Sequence, residues 1–202
     1  MAQLIQQTTL FSDPGRSNTE ALLLLVKQRA ADLKINTVLI ATTTGATAVQ
    51  AVKELPALRL IAVTHSTGYI QPNQQELLPE VEQELKANHV LILTTQHALG
   101  GVNRAVRKML HTYQTDEIIA HTLRIWGQGM KAAIEIALMA ADAGLVDVDS
   151  PVISISGTGR GADTAVVLQP TNAQTFFDLK IHEIICRPAA GHPGFNDEGS
   201  EK

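Results

Sequence analysis

The segment Thr42-Thr43-Thr44-Gly45-Ala46-Thr47 gathers four hydroxyls and a glycine between a β-branched apolar run, Thr37 to Ala41, and a helix-forming run that begins at Ala46. A helix N-terminus leaves its first amides unpaired and carries partial positive charge, so such a turn can hold a phosphate dianion without a lysine. The same residues also suit an ordinary turn in which Thr43 or Thr44 caps the helix. If the turn is an anion cup, Gly45→Asp is expected to abolish binding by filling it with a carboxylate.

A second glycine loop, Gly157-Thr158-Gly159-Arg160-Gly161-Ala162, matches the G-x-G-x-x-G/A spacing of dinucleotide sites. That spacing works only where a helix follows, and here Thr164 to Gln169 (TAVVLQ) reads as a strand, so a nicotinamide dinucleotide is not expected. The loop reads either as a cover over a ligand, with Arg160 available to a second anionic group, or as a plain glycine hairpin. Asp163 either faces the ligand or fixes the turn.

His65 and His97 each follow a strand pattern and fall on one rim, where they could act as acid–base groups or as hydrogen-bond partners of a ligand. No carboxylate accompanies either in its loop, so no metal pair is expected. Arg104, Arg107 and Lys108 either steer an acidic ligand or form a solvated face. Lys131 and Glu135, four apart, pair most simply along a helix. Trp126 beside Gly127 reads as a packing residue. Cys186, the single cysteine, lies in a strand and reads as an inert core thiol.

The elements that must position these groups alternate in period. After a short extended piece ending at Leu10-Phe11, Ser17-Asn18-Thr19-Glu20 reads as a capping box opening a helix over Ala21 to Leu33. Continuous apolar runs predict strands at Thr37–Ala41, Leu58–Thr64, His89–Thr94 and Pro151–Ser156, and further strands fall at Thr164–Gln169 and Ile181–Cys186. Helices are expected at Ala46–Leu55, Pro79–Asn88, Asn103–His111 and Thr115–Leu145, the last broken at Gly127-Gln128-Gly129, with a short one at Asn172–Leu179. Strands separated by helices give an α/β three-layer sandwich with a five- or six-stranded, mostly parallel sheet. The gap Gly157 to Asp163 is too short for a helix, so the strands on either side of it pair antiparallel at one edge. In such sheets ligands bind beyond the carboxyl ends of the strands, where the threonine turn, both histidines and the glycine loop all fall.

Composition narrows the function classes. The chain has 202 residues, 16 Lys+Arg against 20 Asp+Glu, and a net charge of −4, which opposes general nucleic-acid binding. Aromatics make up 3%, too few for base-stacking platforms. No run is apolar enough to span a bilayer and no signal peptide is read, so a cytoplasmic protein is expected. One domain is expected over residues 1–188, with a disordered tail over 189–202.

The run AIEIALMAADAGLVDVDSPVISISGTGRGADTAVVLQP, Ala133 to Pro170, resembles the end of the C-terminal domain of pyruvate kinase, and VLIATTTGATA and LIAVTH resemble its first two parallel strands. PGRSNTE, QHALGGVNRA, ALMAADAGL, GADTAVV and EIICRP together resemble the free-standing pyruvate-kinase-like alpha/beta proteins of archaea and bacteria, over roughly Phe11 to Pro188. The resemblance implies a site for flavin mononucleotide in the strand-end crevice. Thr42, Thr43, Thr44, Gly45 and Thr47 would then take the phosphate. By loop position, Asn18, His65, Gly68, His97, Gly157, Thr158, Gly159, Arg160, Gly161, Asp163 and Thr164 are the candidates around ribityl chain and ring. A barrel of about 250 residues does not fit in this chain, so pyruvate kinase activity is not expected of it. The alternatives are an enzyme acting on a phosphorylated or carboxylated metabolite through a rim histidine, and a scaffold or subunit-interface domain. Homo-oligomerisation through sheet edges and the Thr115–Leu145 region fits all of them.

Overall fold

A computed structural model describes residue 3 and residues 5–189. Most of the tail expected over 189–202 therefore lies outside the described residues, from residue 190 onward. The strands are β1 (Thr9–Phe11), β2 (Thr37–Ala41), β3 (Arg59–Val63), β4 (Leu91–Leu93), β5 (Val152–Ser156), β6 (Thr164–Gln169) and β7 (Lys180–Pro188). The helices are α1 (Thr19–Leu33), α2 (Ala46–Glu54), α3 (Pro79–Ala87), α4 (Val102–Leu110), α5 (Thr115–Arg124) and α6 (Gln128–Asp142). Short 3-10 turns occupy Arg16–Asn18 and Ala173–Asp178.

All seven strands join one sheet in the order β1-β7-β6-β5-β2-β3-β4. The count exceeds the expected five or six because the extended piece ending at Phe11 pairs in parallel with β7. The antiparallel β5–β6 pairing forms as the short gap requires, and β7 and β1 continue the sheet beyond it.

Alternation along the central strands builds the layers. Val38, Ile40, Leu60, Ala62, Ile153 and Ile155 face one core with Leu22, Leu23 and Val26 of α1, Ala48 and Ala51 of α2 and Leu85 of α3. Leu39, Ile61, Val63, Val152, Val166 and Leu168 face the other with Met130, Ala133, Ile134 and Ala137 of α6. Each fully buried Leu or Ile contributes about 1.5–3 kcal/mol, which is why these runs carry no polar alternation.

Two local expectations change. The capping box at Ser17–Glu20 does not form: Asn18 takes the N-cap position without a side-chain bond. The Thr19 hydroxyl instead donates to the Arg16 carbonyl and accepts the Ala162 amide, a long-range use invisible in a local pattern. The Thr115–Leu145 region is two helices, and α6 is buried along almost its whole length, so only α5 offers surface there. Gly129 explains the depth: a Cβ at that position would lie 2.1 Å from Thr164 Oγ1.

Candidate functional site

The loops that leave β1, β5, β2, β3 and β4 lie in a row along one edge of the sheet, in an order fixed by strand pairing. At the β2 tip, the Thr42 amide donates to the Val63 carbonyl at 3.0 Å, extending the parallel register by one step. The chain then turns through Gly45, whose φ of +94° favours glycine, into the first turn of α2. Thr44 is exposed, Thr43 half-buried and Thr47 buried. Neither Thr43 nor Thr44 caps the helix by a side-chain bond. Among the described residues no hydrogen bond engages the Thr43, Thr44 or Thr47 hydroxyls. Gly45 itself is covered: a Cβ there would come within 2.2 Å of Val81 Cγ1 and 2.8 Å of Leu77 Cδ1. Gly45→Asp would therefore disrupt packing against α3 as well as any cup, and Thr44 is the position that tests the cup alone.

The glycine loop after β5 is divided in its roles. Asp163 is fully buried. Its Oδ2 accepts the Gly15 amide at 2.7 Å and the Thr158 amide at 3.0 Å, while Oδ1 accepts the Thr164 hydroxyl at 2.8 Å. Thr164 is also buried, against Gly129. Asp163 and Thr164 thus support the rim from beneath and do not line it, as the turn-fixing reading had it. Gly161 is pressed on Arg16, whose Cα would lie 2.4 Å from an added Cβ, and an added Cβ on Gly157 would meet the Gly161 carbonyl at the same distance. Gly159 and Arg160 turn outward, with open space around Gly159 and Arg160 exposed, while the Thr158 hydroxyl is buried without a hydrogen-bond partner. Asn18 is spent on the preceding turn, its amide donating to the Asp13 carbonyl.

The β3 and β4 tips carry a denser arrangement. Thr64 and Thr94 hydroxyls meet at 2.7 Å, joining the two tips. Just beyond, Tyr69 packs on His65 with ring centroids 4.2 Å apart and stacks on His97 at 4.9 Å, while the two histidine rings lie 5.4 Å apart. Gly68 shapes this turn at φ +82°. The Arg104 guanidinium lies 4.7 Å from the Tyr69 centroid and brings positive charge to the rim. Arg107 pairs with Glu117 at 2.8 Å, so the basic cluster on α4 is shared between the rim and the fold.

Each histidine has a carboxylate after all, His65 from the far end of its own loop and His97 from α6. His65 Nδ1 lies 2.6 Å from Glu76 Oε2. Gln75 holds that geometry: its side-chain amide donates to the His65 carbonyl, and its oxygen accepts the Glu76 and Leu77 amides. His97 Nδ1 lies 3.6 Å from Glu135 Oε2, and its Nε2 faces the Ser66 amide at 3.4 Å. Behind His97, Lys131 and Glu135 do pair, at 2.5 Å, yet both are only 4% exposed. Burial pushes the Glu135 carboxyl up, but the His97 hydrogen bond and the Lys131 charge outweigh it and hold it at about 2. Burial pulls Lys131 below its ordinary value against the attraction of Glu135. His97 also borders a cleft of about 310 Å³ with Gln96, Ala98, Met139 and Asp142. Sequence reasoning found both histidines and missed Glu76, which the long β3–α3 loop folds back onto His65, against the expectation of no carboxylate in that loop, and Glu135, which reaches His97 from α6. Cys186 is buried and its thiol is pushed up to about 12 by that burial, consistent with an unreactive core position. Among the described residues, no cluster of three or more His, Cys, Asp or Glu could hold a metal ion, and no helix is long and apolar enough to cross a membrane.

The family model for the pyruvate kinase alpha/beta domain matches residues 20–168. Matches among solved structures include a pyruvate kinase from Cryptosporidium parvum, 17% identical, covering 76% of this chain and 23% of that chain with a TM-score of 0.41. A complex of Cryptosporidium parvum pyruvate kinase with ADP is 18% identical over 74% of this chain and 22% of that chain, with a TM-score of 0.38. The chain spans about a quarter of the length of these enzymes. Among the described residues there is one sheet and no barrel.

Proposed function

This chain belongs to the pyruvate kinase alpha/beta-domain family, and on that premise we propose that it binds a phosphorylated small ligand at the carboxyl ends of its parallel strands, with flavin mononucleotide as the named candidate. The observation that carries the reading is the β2–α2 turn. It offers unengaged threonine hydroxyls at Thr43, Thr44 and Thr47 together with the first amides of α2, and Thr44 is open to solvent. Arg104 adds a cation to the same rim.

The residues fit the parts of flavin mononucleotide unequally. The threonine turn suits its phosphate, and the stacked Tyr69 and His97 rings, with His65, offer an aromatic layer for its ring system. Gly159 and Arg160 are the part of the glycine loop free to cover the ligand. A bound flavin supplies one- and two-electron redox chemistry; the protein's part is to hold the phosphate, orient the ring and shield it from water. Cytoplasmic residence and homo-oligomerisation, as expected from the sequence, belong to the same proposal.

Calorimetric titration with flavin mononucleotide, and separately with inorganic phosphate, tests it. Thr44→Glu places a carboxylate at an exposed position beside the first turn of α2, where it favours the helix and repels a phosphate. Affinity for flavin mononucleotide should fall about tenfold or more, roughly 1.4 kcal/mol, with thermal stability unchanged or raised. Protein that is colourless and takes up neither compound removes the reading, and an unchanged affinity in Thr44→Glu removes the threonine turn as the phosphate site.

A further inference from the structure

We propose that His65 and Glu76 form a proton-accepting, general-base dyad directed at the ligand of the neighbouring threonine turn. The proposal rests on the phosphate reading above and adds a reaction class to it: proton transfer from a phosphorylated metabolite that carries a hydroxyl or an activated carbon–hydrogen bond.

The geometry selects His65 over His97. Both nitrogens of His97 face protein groups, the Ser66 amide and Glu135. His65 is different. Its Nδ1 lies 2.6 Å from the Glu76 carboxylate, which accepts only, so Nδ1 carries the hydrogen and Nε2 keeps a lone pair. Among the described residues no hydrogen bond engages that Nε2, and the side chain is 31% exposed. Gln75 clamps the turn so that Glu76 stays on Nδ1. Tyr69 packs against the ring at 4.2 Å and limits its rotation.

Placement beside the threonine turn follows from register. Ala41 pairs with Val63 and the Thr42 amide donates to the Val63 carbonyl, so the threonine turn and His65 leave the ends of adjacent strands. Neighbouring strands are about 4.8 Å apart, so a ligand whose phosphate sits on the turn lies within reach of the imidazole. The step balances without an added reagent. Nε2 takes the proton, the electron pair stays on the ligand, and Glu76 stabilises the imidazolium. Arg104, over Tyr69, adds positive charge to the same rim. The proton then returns to another atom of the ligand or leaves to water with the product. Glu76 and Gln75 act through His65 and are positioning residues.

Nitrogen-15 NMR of the intact protein, across pH and with either inorganic phosphate or flavin mononucleotide, tests the dyad. The groups around the ring are Glu76, His97, Tyr69 and Arg104. The neutral His65 ring should be the Nδ1–H tautomer, and Glu76→Ala, which removes the acceptor on Nδ1, should let the Nε2–H tautomer appear. Binding of flavin mononucleotide should shift the Nε2 resonance of His65 and leave that of His111 unmoved. An Nε2–H tautomer in the parent, a Glu76→Ala variant with the parent's tautomer, or bound ligand that leaves the His65 Nε2 resonance unmoved overturns the proposal. If neither compound binds, the phosphate reading fails separately, and the tautomer and the Glu76 dependence still decide whether the dyad exists.

Discussion

Replacing Glu135 by Gln keeps the side chain's length and one oxygen for the Leu99 amide, which donates to it at 3.0 Å, but removes the charge. Lys131 is then a cation at 4% exposure with no anion beside it. The Glu135 carboxyl is held at about 2 against an ordinary 4.5, a difference worth about 3 kcal/mol of stability at neutral pH. Removing one partner of a buried pair costs about 3–5 kcal/mol by general experience, so the two routes agree on roughly 3. The sign follows from the direction of the displacement. A carboxyl depressed in the folded state contributes fully above its unfolded value and loses that contribution as pH falls through the interval down to about 2. Urea melts at neutral pH should place Glu135→Gln about 3 kcal/mol below the parent, and the gap should close as the pH is lowered below about 5. The double variant Lys131→Met with Glu135→Leu should recover most of the loss, since an apolar pair leaves no buried charge. A single variant within about 1 kcal/mol of the parent at neutral pH, or two pH curves that run parallel, would refute the claim that His97 and Lys131 hold an ionised carboxylate in the core.

Gly159 and Gly161 share a positive φ, +76° and +77°, but only Gly161 is crowded. Gly159→Ala should cost about 1 kcal/mol of backbone strain and Gly161→Ala about 1–3 kcal/mol more, read as a difference in urea midpoint; equal costs would mean the loop does not clamp onto Arg16. Cys186 should resist iodoacetamide at mildly alkaline pH until the protein unfolds, because burial keeps its thiol protonated; rapid alkylation of the native protein would contradict the core placement.

The sheet was legible because strands buried on both faces appear as unbroken apolar runs, and because the gap at Gly157–Asp163 leaves room only for a hairpin. The edge strand β1 was harder: three residues have no period of their own, and only pairing with β7 makes them a strand. At the site, the threonine turn and both histidines were legible because they follow strands directly. Glu76 was not, since it lies in an irregular loop eleven residues from His65 and is brought back by the Gln75 clamp. Lys131 and Glu135 show the opposite failure. Their spacing announced a pair, but a charged pair on a helix usually marks the wet side, and here α6 is enclosed on that side too. Asp163 and Thr164 carried the chemistry of a ligand contact in a place where burial turned it inward.

The single Oδ2 of Asp163 grips the amides of Gly15 and Thr158 together, stitching the approach to α1 to the glycine loop that is nearly a whole chain away in sequence. A molecule that draws Thr158 outward can do so only by tearing that stitch or by dragging the Gly15 turn along. The turn before α1 and the loop after β5 are therefore held as one piece, though they lie far apart in sequence.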